Sequence, residues 1–358
     1  MVIHAGFGLG PWTARNLESS GLGGAETAVA RMAAELRRRR HRVVVFVPAG
    51  GIDETVDGVD YRDCRGFGSF CNVYAPDVLI VSRDASVLDA SVRATRRFFW
   101  AHEVSAWRAA DNGQDRMRRH YGSLDAIFCL SEWHRDVFAR AHRIPTAKIV
   151  VTRNGIDRER FAMRVRRKRN RFIYSSTPER GLETLLRLFP RIRAKLPGAE
   201  LHVFYGFGFW DGTLRPRKQR WRDAIRSALD QPGVLWHGPV GQRRLAREML
   251  ASDVWLYPTH CMETYCITAL EAQMAGVICI CSDLAALRTT VGERGILLGH
   301  PDSAGFEQRA VRETVALLRD RPRRRRMAAA ARRWAAQQTW GALAETWIRW
   351  FESPELLR

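Results

Sequence analysis

The sequence predicts an α/β protein made of two doubly wound domains with a cleft between them. Three observations predict it. Short apolar runs of about four or five residues alternate with longer stretches of helical period. The runs fall into two groups, on either side of Asn154-Gly155-Ile156-Asp157. The chain has 358 residues, which suits two domains of roughly 150 residues better than one.

In the first half the runs are Val43 to Val47, Val78 to Val81, Phe98 to Ala101, Ile127 to Leu130 and Ile149 to Val151. Rich in Val, Ile and aromatics, they read as strands covered on both faces, as in parallel sheets. Between the first sets of glycines and runs, Ala25 to Arg39 reads as a helix, with Ala25, Ala28, Val29, Met32, Ala33 and Leu36 on one face. In the second half the runs are Phe172 to Tyr174, Leu201 to Tyr205, Val234 to Trp236, Val254 to Tyr257 and Val277 to Cys281. A second helical stripe carries Leu182, Leu185, Leu186 and Phe189. Alternating βα units of this kind give parallel sheets covered by helices. The stretch Trp334 to Phe351 places Trp340, Leu343, Trp347, Trp350 and Phe351 along one stripe, read as a packing face. The expected domains are residues 1–155, residues 156–333, and a C-terminal helix, residues 334–358, returning to the first domain.

Composition excludes several classes. Hydrophobic residues make up 46% of the chain, with 12 Trp and 16 Phe, enough for packed cores and too much for a disordered chain. No apolar run is long enough to cross a bilayer. Met1 to Pro11 lacks a basic stretch followed by an apolar one, so no signal peptide and a cytoplasmic location are expected. Seven cysteines, an odd number without CxxC spacing, read as reduced thiols, with Cys129, Cys279 and Cys281 in apolar runs. The net charge is +20, and of 58 basic residues only Lys148, Lys168, Lys195 and Lys218 are lysines. Arginine crowds Arg37 to Arg42, Arg164 to Arg171, Arg215 to Arg222 and Arg323 to Arg326. Such stretches are solvated faces or a track for a polyanion, either nucleic acid or a membrane surface.

Four segments carry residues suited to chemistry. Gly21-Leu22-Gly23-Gly24-Ala25-Glu26 opens a helix; it is either a tight turn or a place where phosphate meets free backbone N–H groups. Glu263 and Glu271 flank Thr264-Tyr265-Cys266 just after the Val254 strand. A helix beginning near Thr264 would aim N–H groups at an anion, while the carboxylates accept hydrogen bonds from sugar hydroxyls. Tyr174-Ser175-Ser176-Thr177-Pro178-Glu179-Arg180-Gly181 puts Arg180 at the start of the Leu182 helix, as an ordinary helix-end arginine or a partner for a diphosphate. His102 stands at the end of the Phe98 strand, where a structural role and a site role are both open.

These signals, in this order, resemble the retaining glycosyltransferases of family 4, from about Gly21 to Trp347. The matching pieces are Gly23-Gly24-Ala25-Glu26, Ser131-Glu132-Trp133, Asn154-Gly155-Ile156-Asp157, Arg180-Gly181, and the two glutamates. The resemblance implies the GT-B fold, two Rossmann-like domains facing across a cleft, the first for the acceptor and the second for the donor. It implies that Glu263 contacts hydroxyls of the donor sugar, that Glu271 holds the ribose, and that N–H groups of Thr264, Tyr265 and Cys266 receive the diphosphate or sugar. Gly23 and Gly24 would approach the phosphates, and His102 would face the donor sugar. The family pairs an Arg and a Lys on the diphosphate; here Arg180 fills the second position, and Tyr174 or Ser175 stands near the first. Ser175 and Ser176 are therefore added to the donor set, with Glu263, His102 and Arg180 as the catalytic group.

The implied reaction moves a sugar from a UDP- or GDP-sugar to a hydroxyl acceptor with retention of configuration. No Asp-x-Asp sequence occurs, in keeping with metal-independent transfer, and no cofactor beyond the nucleotide-sugar co-substrate is expected. The acceptor is a glycan, a lipid-linked glycan or, given the charge, modified DNA, with the enzyme peripheral at the inner membrane face and without an obligate protein partner. The alternatives are a sugar-nucleotide epimerase on the same scaffold and a nucleic-acid-binding protein. Against the latter, the aromatics do not interleave with the basic clusters as stacking platforms would. The loops Tyr205 to Trp210 and Thr259 to Thr264 are expected to choose the donor, and Tyr61 to Tyr74 and Ala106 to Arg119 the acceptor.

Overall fold

A computed structural model describes residues 1–6, 8, 10–51, 53–90, 92–104, 113–205, 216–353 and 355. The chain forms two compact units, one of Met1–Leu17, Leu22–Gly155 and Gln338–Arg358, the other of Glu18–Gly21 and Ile156–Gln337. Most of the donor-side loop from Tyr205 to Trp210, part of the loop from Ala106 to Arg119, and the first residue of the Arg215 cluster lie outside the described residues.

The first unit is built on an eight-stranded sheet. Its strands are β1 (Val2–His4), β2 (Val44–Val47), β3 (Glu54–Val56), β4 (Val59–Asp63), β5 (Val78–Ser82), β6 (Arg96–Trp100), β7 (Ala126–Cys129) and β8 (Ile149–Val151). They run in the order β3-β4-β2-β1-β5-β6-β7-β8, parallel except where β3 pairs β4. Every residue of β2, β5 and β7 is buried, which is why these strands read as unbroken apolar runs. Expected strand positions agree closely. The additions are β1, three residues long, and the β3–β4 hairpin, whose Glu54, Asp60 and Asp63 break any apolar run.

The Trp340–Glu352 helix belongs to this first unit. It lays Trp347 against Trp100 and Phe128, with ring centres 4.7 and 4.6 Å apart, and Phe351 against Phe98 at 4.9 Å. Trp334, read from the sequence as continuing this stripe, lies instead in the preceding helix, Arg321–Ala335. The two are separate helices because Thr339 starts the second one, its hydroxyl accepting from the Ala342 N–H at 3.1 Å.

The second unit holds β9 (Arg171–Tyr174), β10 (Glu200–Val203), β11 (Val234–Trp236), β12 (Val254–Tyr257), β13 (Ile278–Cys281) and β14 (Ile296–Leu297). All pairings are parallel, in the order β11-β10-β9-β12-β13-β14. In chain sequence that is 3-2-1-4-5-6, the order of a doubly wound nucleotide-binding sheet. The direction of winding reverses between β9 and β12, so the loops leaving those two strands frame the crevice where such sheets bind ligands. All seven cysteines are free thiols, and Cys71, Cys129, Cys266, Cys279 and Cys281 are buried. Among the described residues no helix is long and apolar enough to cross a membrane.

Candidate active site

At the switch point of the second unit, β9 ends at Tyr174 and the chain passes through Ser175 and Ser176 into a tight turn, Pro178–Arg180. Gly181 follows with φ at +104°, and the helix Leu182–Lys195 begins. A side chain at 181 is excluded twice over. The backbone is in the region that favours glycine, and a Cβ there would lie 2.5 Å from the Pro258 carbonyl oxygen in the loop after β12. The two strand-end loops are therefore in backbone contact, and the residues they carry are brought together.

Arg180 and Glu263 are the result. The Arg180 Nη1 donates to Glu263 Oε1 at 2.5 Å, and the Tyr257 hydroxyl donates to the same oxygen at 2.7 Å. Glu263 is buried, whereas the Arg180 side chain keeps 40% of its surface exposed. The Glu263 carboxylate raises the Arg180 pKa above its ordinary value, against the opposing effect of burial. Arg180 is thus a fixed cation with one open side. Burial, then the Glu263 charge, pushes the Tyr257 hydroxyl well up, so it remains a donor. Tyr174, near the position where the family pattern has a cation, instead turns its hydroxyl to the Thr177 carbonyl at 2.7 Å. Among the described residues the buried Ser175 hydroxyl has no hydrogen-bond partner.

The helix after Glu263 spans Ile267–Met274, three residues later than the start expected near Thr264. Cys266 causes the delay: its backbone is left-handed, at φ 72°, and it ends the loop with a kink. Thr264, Tyr265 and Cys266 therefore form the bend before the helix, with Tyr265 and Cys266 buried. Among the described residues no side chain caps that helix start; the Ala269 N–H bonds the Cys266 carbonyl at 3.2 Å, and the N–H groups before it are left for another acceptor.

Glu271 lies on this helix and is buried. Its carboxylate is gripped by Arg160, whose other nitrogen bonds the Gln242 side-chain oxygen. Arg160 comes from the turn Glu159–Phe161 just beyond Asn154-Gly155-Ile156-Asp157, and Gln242 opens the helix Gln242–Leu250. Neither was legible beforehand: an arginine after a turn and a glutamine at a helix start carry no motif, and Arg160 lies 111 residues from Glu271 and 82 from Gln242 in sequence.

In the first unit the helix Gly24–Arg38 starts without a side-chain cap at Gly23. Glu26, in its first turn, pairs with Arg83 at 3.2 Å, and Arg83 also bonds Glu103. Arg83 follows β5 and His102-Glu103 follow β6, so the ends of adjacent parallel strands supply both. His102 is buried beside Trp100, ring centres 4.5 Å apart. Burial, then Arg83 and His134, drive its pKa well down, and the ring is neutral. His134 holds the neighbouring peptide: its Nε2 donates to the Glu103 carbonyl at 2.7 Å while its Nδ1 accepts from the Leu130 N–H at 3.1 Å. Ser131 explains the Ser131-Glu132-Trp133 segment, since its hydroxyl caps the helix Glu132–His142 by accepting from the His134 N–H at 3.1 Å. Arg83 and His134 are additions to the residues read from the sequence.

Two doubly wound parallel units, with charged side chains held at the strand ends, define a nucleotide-binding α/β architecture. Comparison with known proteins narrows this further. The glycosyl transferases group 1 family matches residues 156–334. A GDP-mannose-dependent alpha-(1-6)-phosphatidylinositol monomannoside mannosyltransferase of Mycobacterium tuberculosis is 30% identical over 266 residues, covering 68% of this chain and 65% of the relative. This chain thus spans just under two thirds of that relative's length. Sucrose-phosphate synthase from Thermosynechococcus elongatus superimposes with a TM-score of 0.78 at 13% identity, covering 100% of this chain and 99% of that one. Anabaena Alr3699/HepE, in complex with UDP and glucose, gives 0.73 at 13% identity over 98% and 99%. This chain belongs to the glycosyl transferases group 1 family, and its fold is GT-B.

Proposed function

We propose that this protein transfers a glycosyl group from a UDP- or GDP-sugar to a hydroxyl acceptor, with retention and without a metal ion. The observation that carries the reading is the Arg180–Glu263 pair at the switch point of the second sheet, beside an uncapped helix start. Breaking the bond between the sugar carbon and the phosphate oxygen leaves charge on the β-phosphate. Arg180, with its open side, and the N–H groups at Ile267 stabilise that charge. Glu263, fixed by Arg180 and Tyr257, orients hydroxyls of the sugar, and Glu271, fixed by Arg160, accepts from the ribose. Ser175 and Ser176 border the phosphates, and Thr264, Tyr265 and Cys266 shape the bend over them. The acceptor oxygen bonds to the sugar carbon on the face the phosphate leaves, and its proton passes to the departing phosphate. In the first unit, Gly23 and Gly24 are assigned to the phosphates and neutral His102 to the donor sugar. The acceptor is a hydroxyl of a glycan or lipid-linked glycan, which places the enzyme at the inner membrane face.

Incubation with labelled UDP- and GDP-sugars is expected to release nucleoside diphosphate and label an acceptor. An epimerised nucleotide sugar without acceptor would replace this reading with the epimerase one. A thermal-shift screen of UDP against GDP names the donor, the right base raising the melting temperature.

A further inference from the structure

Much of the surface arginine of this chain is matched by carboxylates. Arg38 pairs with Glu35, Arg187 and Arg191 with Glu307, and Arg288 with Asp283. A face of the second unit departs from this pattern. The helix Arg321–Ala335 turns Arg325, Arg326, Ala329, Arg332 and Arg333 to solvent, and its opposite side buries Ala331 and Ala335. At 100° per residue those exposed positions fall on one side of the helix. None of its four exposed arginines there makes an ion pair among the described residues, and neither do the exposed Arg164 and Arg166. Arg324, on the inner side, is the exception, reaching buried Asp253 at 3.2 Å.

Two open cavities join these groups. One, of about 580 Å³, is lined by Arg164, Arg166, Arg167 and Arg332 with Met163 and Val165. The other, of about 780 Å³, is lined by Phe161, Ala162, Met274, Ala329 and Ala336, with Arg332 and Arg333 at its edge. They share Ala162 and Arg332 and form one continuous surface of the second unit. Among the described residues lining them, Glu159 is the one carboxylate. Arg167 reports the crowding of charge. It donates to the Gly276 carbonyl at 2.5 Å; burial lowers its pKa, the Asp253 charge opposes that, and Arg332 and Arg324 add to the lowering.

We propose that this face is a docking surface for an anionic phospholipid membrane, with lipid phosphates on the arginines and acyl chains against the alanine and methionine lining. The apolar component selects lipid over nucleic acid. A single-stranded nucleic-acid track uses open aromatic faces for stacking, but Phe161 is buried and the Trp334 ring is covered by Arg294 at 4.0 Å; duplex DNA, bound through its phosphates alone, is the competing arm of the test below. Unpaired cations beside apolar surface suit a lipid headgroup layer. The docking surface extends the membrane location proposed above, while flotation reads it without any measure of sugar transfer.

Vesicle flotation tests it. The full-length protein is expected to float with mixed phosphatidylcholine–phosphatidylglycerol vesicles more than about tenfold better than with phosphatidylcholine alone, and to be released by salt. Arg325→Gln, Arg326→Gln, Arg332→Gln and Arg333→Gln together are expected to weaken that binding at least about tenfold. Removing the same charge from the paired Arg38, Arg187, Arg191 and Arg288 is expected to change it less than about twofold. Ala329→Asp, which deletes no arginine, is a second route to the same loss. Equal flotation with both lipid compositions overturns the proposal. So do undiminished binding by both the quadruple and Ala329→Asp variants, equal losses in the control, and retention on duplex DNA without flotation.

Discussion

At the scale of single residues, the two glutamates differ in what holds them. Glu263 is tied to a half-open arginine, the pair on which the proposed transfer rests. Arg180→Ala and Glu263→Ala are each expected to lower kcat by roughly 10² to 10³, with the far-ultraviolet circular dichroism unchanged. Glu271 is tied to an arginine as buried as itself, with side chains 9% and 7% exposed. Arg160→Ala leaves that carboxylate buried and unpaired, and about 3 to 5 kcal/mol of stability is expected to be lost, read by urea unfolding. Nucleotide affinity is expected to fall as well, measured by calorimetry on the folded fraction. Two buried histidines give a pH signature. Burial lowers His4 and His134 to about 4, from an ordinary value of 6.5. The unfolded chain therefore binds more protons between those limits. The stability these groups support is complete above pH 6.5 and drains as the pH falls toward 4. Melting temperatures taken from pH 7 to pH 4 should show the decline, reduced in His134→Gln.

At the scale of elements, the sequence revealed strands that carry an apolar run, whether fully buried like β12 or partly exposed like β11, and hid those without one. The strands β8, β11 and β12 stand where their apolar runs predicted. The β3–β4 hairpin alternates burial at a sheet edge and carries acids, and β14 has only two residues, so neither leaves a run to read. The site was legible in part for a related reason. Strand-end motifs located Arg180, Glu263, Glu271 and His102, but Arg160 with Gln242, which hold Glu271, and Arg83 with His134, which bond Glu103 beside His102, arrive from distant segments. The late helix start at Ile267 was hidden because a cysteine, not a glycine or asparagine, takes the left-handed turn. Gly181 is where an element depends on one position. Gly181→Ala is expected to cost about 1 to 3 kcal/mol from its backbone conformation alone, and more from the contact with Pro258. Its melting temperature should fall and its affinity for nucleoside diphosphate should weaken together, since the two loops would have to part.

For the whole molecule, family membership accounts for the fold and the two sheets account for the order of the strands, but neither accounts for a net charge of +20. The arginine cluster from Arg37 to Arg42 is partly consumed within the first unit: Arg37 bonds the Gly58 carbonyl at 3.0 Å, and Arg39 bridges Glu35 and Glu345. Among the described residues, the exposed arginines around Arg332 on the second unit make no ion pair. Cohesion of the first unit depends on a helix far along the chain. Trp347, fully buried between Trp100 and Phe128, is expected to cost about 3 to 5 kcal/mol when replaced by alanine, seen as an earlier unfolding transition.

That dependence also sets a timetable for the growing polypeptide. The sheet of the first unit is complete once Val151 has emerged, but the aromatic wall of Phe98, Trp100 and Phe128 must wait for residues beyond Trp340. At ribosomal speeds the interval is roughly 10 to 40 s. For that time a greasy patch stands open on a nascent chain, a natural landing place for a chaperone.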